Sequence, residues 1–143
     1  MSQEPTGLLS NVLLPVANAA DARTTAGALE PYQPEHVIAL HVVEKGEGVP
    51  DKTPVEQSEA VASEAFSAVR EVFPSADDRI VYRKRVVAAI VEVSDEVDAS
   101  AIVFCPQESG RLTKLLSGDR SLQLVTTATR PVIALPRGAD RPK

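Results

Sequence analysis

The sequence contains few of the residues on which several kinds of binding site depend. Aromatic residues make up only 3% of its 143 residues and tryptophan is absent, which excludes an aromatic cage and a platform for stacking bases. Its single cysteine excludes an intramolecular disulfide framework and a metal site built from several cysteines. Long apolar runs are also missing, so we expect no membrane span. With 43% hydrophobic and 24% charged residues, the chain is expected to form one soluble globular domain.

The charges argue against nucleic acid as a partner. The formal net charge is −5, and a polyanion repels an acidic chain. Residues 108–143 nevertheless carry seven basic and three acidic side chains, an excess of +4. Because no aromatic residues are interleaved with these bases, we interpret them as a solvated surface and predict no nucleic-acid partner.

The N-terminal segment has a weak likeness to a secretion signal, because residues 7–20 are fairly apolar and end in Ala-Asn-Ala-Ala. The first five residues, however, include a glutamate and no base, and Asn11 and Pro15 interrupt the apolar stretch. A signal peptide has the opposite pattern. We therefore expect a cytoplasmic protein without direct membrane insertion, in which the thiol of Cys105 stays reduced.

Hydrophobic patterning predicts five strands. Residues 12–16, 37–43, 101–104 and 132–135 are apolar without alternation, which is typical of strands buried on both faces of a parallel sheet. Residues 79–86 alternate instead and include three consecutive bases, which predicts an exposed edge strand.

Helical patterns lie between these strands. Apolar residues recur at spacings of three and four over residues 54–73 and 87–97, and Pro74 ends the first of these helices. Asn18 followed by Asp21 predicts an N-cap with an acid in the first turn, opening a helix that Pro31 ends. The alternation predicts a doubly wound α/β domain with helices on both faces. In such sheets, ligands bind at the carboxyl ends of strands where the winding reverses, here near residues 15–18 and 104–110.

Three landmarks resemble the universal stress protein family. Residues 11–17, Asn-Val-Leu-Leu-Pro-Val-Ala, are similar to its opening strand, and residues 39–43, Ala-Leu-His-Val-Val, to its second strand. Residues 101–135 are similar to its fourth strand, phosphate loop, last helix and last strand. The resemblance implies a Rossmann-like, flavodoxin-like sheet of five parallel strands in the order 3-2-1-4-5. The domain is predicted at residues 10–137, with an extension at 1–9 and a tail at 138–143.

The resemblance also implies where a nucleotide would bind, and the sequence departs from the family there. Members that bind ATP have three loop glycines, a serine or threonine after the last, and an aspartate ending the first strand. Of the corresponding positions here, only Gly118 keeps the family residue. Side chains at the other two glycine positions, Cys105 and Glu108, hinder backbone amides from approaching a phosphate group. The carboxylates of Glu108 and Asp119 repel the phosphate. We therefore predict no ATP binding and no cofactor, with ATP or AMP and Mg²⁺ as the alternative. The positions of this altered site are Ala17, Asn18, Val42, Phe104, Cys105, Glu108, Gly118 and Asp119.

One basic segment near the altered loop has two interpretations. Ser109, Gly110, Arg111 and Lys114 combine a flexible glycine, a predicted helix start and two bases. They could hold an anion, or they could form a solvated basic face.

Three further side chains are better explained as structural than as reactive groups. Cys105 could be a redox-sensing thiol, but we favour a small buried filler. His41 lies in an apolar strand without acidic residues at ligand spacing, which favours a core histidine over a metal ligand. Ser121, like Ser109, has no histidine in its segment to act as a base. We predict no catalytic residue and no metal.

The last strand predicts the oligomeric state. In the order 3-2-1-4-5 it is an edge, yet Val132, Ile133, Ala134 and Leu135 are all apolar. An uncovered apolar edge aggregates, so we predict that the same strand of a second copy covers it in a homodimer; the family's usual dimer implies the same.

Together, these observations predict a non-enzymatic cytoplasmic protein of stress response or regulation. It would act through contacts with an unidentified protein partner. Two alternatives stay open: a universal stress protein that binds ATP or AMP through an altered loop, and a regulatory accessory of a membrane transporter.

Overall fold

The computed structural model describes residues 7–44, 55–106 and 119–136. Strands and helices alternate along them as predicted. None of the helices in these three stretches is long and apolar enough to cross a membrane. The elements are β1 (Val12–Pro15), α1 (Ala19–Leu29), a 3₁₀ turn (Glu30–Tyr32), β2 (Val37–Glu44), α2 (Val55–Val72), β3 (Asp77–Arg83), α3 (Val86–Glu96), β4 (Ala101–Phe104), α4 (Asp119–Thr127) and β5 (Val132–Ala134).

The five strands form one parallel sheet in the order β3-β2-β1-β4-β5. This confirms the predicted doubly wound topology. The pairing places Val12 of β1 between Val37 of β2 and Ala101 of β4. β1 is therefore the central strand, and the order of the strands reverses its direction between β1 and β4.

Every residue of β1 and β4 is buried, as their continuous apolar sequences predict. Alternate side chains point to two separate cores, because successive residues of a strand face opposite sides of the sheet. One core contains Val12 and Leu14 of β1 together with buried residues of α1 and α2. The other contains Leu13 of β1 with residues of α3 and Leu124 of α4. Helices α3 and α4 therefore share one face of the sheet.

The predicted boundaries of most elements differ from the structure by a residue or more, and local structure explains three of the differences. The third strand spans Asp77–Arg83 rather than residues 79–86, because Arg85 is already the N-cap of α3. Helix α1 ends at Leu29, and Pro31 lies within the following 3₁₀ turn. β5 ends at Ala134 rather than 135, although the amide of Leu135 still donates to the carbonyl of Phe104 at 2.8 Å.

β3 is an edge strand, as its alternation predicts, and charged pairs connect it to the neighbouring helix. Nε of Arg83 donates to Oε1 of Glu92 on α3 at 3.1 Å, and Arg79 pairs with Glu96 on the same helix. Charged side chains along an edge discourage pairing with another chain. This edge is therefore an unsuitable surface for strand-to-strand association.

Arg130 connects the end of α3 to the segment between α4 and β5. Its guanidinium donates to Oδ1 of Asp95 at 3.2 Å and to Oδ1 of Asp98 at 2.8 Å. The hydroxyl of Thr129 donates to the same Asp95 oxygen at 2.8 Å. The Thr129 hydroxyl and then Arg130 lower the pKa of Asp95 below its ordinary value.

This lowered pKa predicts acid-dependent stability. A carboxyl group whose pKa is lower in the folded state stabilises the fold above its unfolded pKa of about 3.9, and this contribution disappears as pH falls through the folded value. Replacing Thr129→Val removes the largest cause of the shift. We expect the urea midpoint of this variant to fall less steeply than wild type between about pH 5 and pH 2. Equal slopes for the two proteins would contradict this assignment.

Candidate functional site

The carboxyl ends of β1 and β4 lie side by side where the winding reverses. The two strands pair directly, with Val12 opposite Ala101 and Leu13 opposite Ile102. Ala17 and Asn18 follow β1, and Cys105 follows β4. We call the edge of the sheet between these residues the β1–β4 crevice; it is the position at which doubly wound sheets bind their ligands.

The side chains of Asn18 and Asp21 form capping hydrogen bonds where β1 leads into α1. Oδ1 of Asn18 accepts from the amide of Asp21 at 2.8 Å, and Oδ2 of Asp21 accepts from the amide of Ala17 at 2.8 Å. This reciprocal pair confirms the predicted N-cap: it satisfies the Asp21 amide, which the helix itself leaves without an acceptor, and the Ala17 amide just before the helix. Ala17 packs partly against the core shared with α3. The carboxylate of Asp21 therefore takes part in capping α1.

The other described positions of the predicted nucleotide site are buried. Val42, Phe104 and Cys105 are each less than one tenth exposed. Their side chains belong to the two cores, so a ligand would meet mainly backbone groups at these positions. Glu108, Ser109, Gly110, Arg111, Lys114 and Gly118 lie outside the described residues, and Asp119 is described only as the first residue of α4.

Two candidate reactive side chains, Cys105 and His41, are buried and lie close to backbone carbonyl groups. The thiol of Cys105 is buried and lies 3.8 Å from the carbonyl oxygen of Pro136, which fits the interpretation as a core filler. His41 is buried, with Nδ1 3.0 Å from the carbonyl oxygen of Val16. Because a carbonyl only accepts, Nδ1 carries the proton. Within the described ranges, no three His, Cys, Asp or Glu side chains are grouped so that they could hold a metal ion.

A cavity of about 440 Å³ lies at the same edge of the sheet, between the end of β2, the start of α3 and helix α4. We call it the α3–α4 pocket. Lys84, Arg85 and Arg120 line it, together with Glu44 and apolar residues at the start of α3. Nη2 of Arg120 donates to Oε2 of Glu44 at 2.8 Å. The described lining residues carry an excess of positive charge although the whole chain is acidic.

The sequence pattern does not predict this pocket. The alternating pattern places the three consecutive bases Arg83, Lys84 and Arg85 in an exposed edge strand, whereas in the structure Lys84 and Arg85 lie in the connection to α3. The sequence feature that could have indicated their true placement is that these bases directly precede an apolar helical stripe. Arg120 could not be linked to them from the sequence, because only the packing of α4 beside α3 brings it to the same cavity.

Several solved structures have the same fold. The chain is similar to a universal stress protein from Archaeoglobus fulgidus, with 23% sequence identity, a TM-score of 0.67, and coverage of 88% of this chain and 98% of that chain. It is also similar to the Archaeoglobus fulgidus universal stress protein in complex with dAMP, with 22% identity, a TM-score of 0.64, and coverage of 90% and 99%. A universal stress protein family protein from Arabidopsis thaliana with AMP bound has 14% identity, a TM-score of 0.63, and coverage of 92% and 94%.

These likenesses show that the chain has the fold of the universal stress proteins, as its sequence landmarks predict. No protein-family model matches the sequence, and a search of curated proteins finds no match. At these identities the likeness establishes the fold.

Proposed function

We propose that this protein is a regulator of the universal stress type that binds an adenine nucleoside monophosphate in the β1–β4 crevice. The observation that carries the proposal is the reversal of winding between β1 and β4, the place where such sheets bind ligands. Two proteins of the same fold have been solved with dAMP and with AMP. The sequence alone favoured a protein that works without nucleotide, and these complexes support the alternative.

The altered residues favour one phosphate over three. Ala17 offers no carboxylate, and Glu108 replaces a glycine of the loop that the resemblance implies for ATP. A triphosphate needs several close backbone amides and carries more negative charge than a monophosphate, so these changes penalise ATP more strongly. The binding of a nucleoside monophosphate depends less on the missing glycines.

We further propose that the protein acts by binding and not by catalysis. His41 is buried and bonded to Val16, and His36 bonds Asp77 at 3.0 Å at the amino end of β2, so neither is placed as a general base in the crevice. The buried thiol of Cys105 fits the reducing cytoplasm that we propose as the compartment of this protein.

Calorimetric titration with AMP, and with ATP in the presence of Mg²⁺, tests the proposal. We expect AMP to bind and ATP to bind no more tightly. Ala17→Asp restores the carboxylate that the resemblance implies for holding the nucleoside, and one charge-assisted hydrogen bond corresponds to about a tenfold gain in AMP affinity. Gly27→Asp is the matched control, because Gly27 is exposed on the helix that follows, with open space around it.

Two results would contradict this proposal. Tighter binding of ATP than of AMP would show that the loop still holds a triphosphate. Binding of neither nucleotide, by wild type or by Ala17→Asp, would favour a protein that acts through protein contacts alone.

We also propose that two copies pair through β5. Val132 and Ile133 are only half-buried, and the described residues provide a partner strand on one side of β5 only. On α4, Gln123 and Thr127 face the pocket beside α3, whereas Leu122 and Val125 are 64% and 56% exposed. Successive helical residues turn by about 100°, so Val125 lies opposite Gln123. An apolar helix surface therefore accompanies the edge strand, as a dimer interface requires.

A further inference from the structure

The backbone ladder between β1 and β2 ends one hydrogen bond earlier than its register allows. The amide of Val16 donates to the carbonyl of Leu40 at 2.8 Å, and the last paired residues are Pro15 and Leu40. In a parallel ladder the next bond would run from the amide of Val42 to the carbonyl of Val16. The described pairing of these two strands does not contain that bond. β1 therefore ends at Pro15, although Val16 is as buried as the strand itself.

The side chain of His41 takes the place of the missing bond. Its Nδ1 donates to the carbonyl of Val16 at 3.0 Å, and both residues are buried, with His41 8% and Val16 0% exposed. A buried carbonyl needs a hydrogen-bond donor, and here the imidazole supplies it from the neighbouring strand. The carbonyl of Val16 is thus satisfied by a side chain, so the two strands need not continue their backbone pairing.

The missing bond leaves the backbone of Val42 directed towards the β1–β4 crevice. Every second residue of a strand bonds the same neighbouring strand. Because the carbonyl of Leu40 bonds the β1 side, the amide and carbonyl of Val42 face that side too, where β1 has ended and Asn18 begins α1. A ligand that bonded backbone groups inside the ladder would have to break existing hydrogen bonds. The Val42 amide can bond a ligand without that loss.

We propose that His41 is a positioning residue for the nucleotide site. By bonding the carbonyl of Val16, its imidazole keeps the Val42 amide out of the ladder and available to a bound nucleotide. His41 acts through these two backbone groups, and no proton transfer is involved. The inference rests on the proposed function for its ligand, AMP, whereas the effect of His41 on the two strands is independent of any ligand.

Hydrogen exchange of the Val42 amide, followed by NMR on the full-length protein without ligand, tests the effect on the strands. His41→Leu removes the donor but keeps a large apolar side chain, so the carbonyl of Val16 needs another donor. We expect the Val42 amide to bond it and to exchange about tenfold more slowly than in wild type. A loss of stability would speed exchange instead, so slower exchange cannot result from damage to the fold. His41→Asn, whose side-chain amide donates in place of Nδ1, should exchange as wild type does.

Titration with AMP tests the consequence for binding. His41→Leu should weaken AMP binding about tenfold, because the ladder then uses the Val42 amide. His41→Asn should keep the wild-type affinity. Val69→Ala is the control for packing, because Val69 is fully buried on α2 in the core that contains Val16 and takes no part in the β1–β2 ladder. This variant should leave the AMP affinity unchanged.

The two measurements separate this proposal from the proposed function. Unchanged or faster exchange at Val42 in His41→Leu overturns it, and so does a His41→Asn variant that behaves like His41→Leu. Equal weakening of AMP binding by His41→Leu and Val69→Ala assigns the effect to core packing and also overturns it. If the wild-type protein binds no AMP, the proposed function fails, and slower exchange in His41→Leu still supports the part of His41 in ending the ladder.

Discussion

The Leu124→Ala variant is expected to lose about 2–5 kcal/mol of its free energy of unfolding, the range measured for leucine truncations in protein cores. Leu124 is fully buried between α4 and the sheet, in the core that includes Leu13 and Ile90. Truncation removes apolar contacts and leaves a cavity that the surrounding residues fill only in part.

Leu122→Ala on the same helix is the control. Its side chain is 64% exposed, and surface substitutions usually change stability by less than about 0.5 kcal/mol. Urea unfolding of both variants at one protein concentration measures the difference. Similar losses for the two leucines would show that Leu124 does not anchor α4.

A double replacement, Leu122→Glu with Val125→Glu, is expected to convert the proposed dimer into a monomer. About a two-fold axis, the changes place four carboxylates beside the paired β5 strands. Facing like charges cost several kcal/mol, which corresponds to a dimer dissociation constant at least about a hundredfold higher. Light scattering across a concentration series measures this constant.

Leu8→Glu with Tyr32→Glu introduces the same charge at other exposed apolar positions. Leu8 and Tyr32 are 52% and 53% exposed, and neither belongs to α4 or β5. This variant should remain a dimer. A wild-type protein that is monomeric at micromolar concentration, or equal dissociation of the two variants, would contradict the β5 interface.

The element order could be predicted from the sequence because each signal was local. Continuous apolar runs identified the buried strands, and Asn18 with Asp21 identified the start of α1, whose capping bonds the structure contains. The predicted end of β3 was wrong because three bases after an alternating segment fit the end of a strand and the connection to a helix equally well. Local patterns therefore predicted the type of each element more reliably than its last residue.

The sequence by itself determined the class of fold, and its resemblance to the universal stress proteins implied a sheet with β1 at the centre and Ala17 at the position where that family has an aspartate. Only the tertiary structure decided which charged groups share a site. Lys84 and Arg85 line the same cavity as Arg120 because α3 and α4 pack on the same face of the sheet, while Arg83 bonds Glu92. Hydrophobic periodicity records which side of an element is buried, but the neighbours of an exposed charge depend on how distant elements pack.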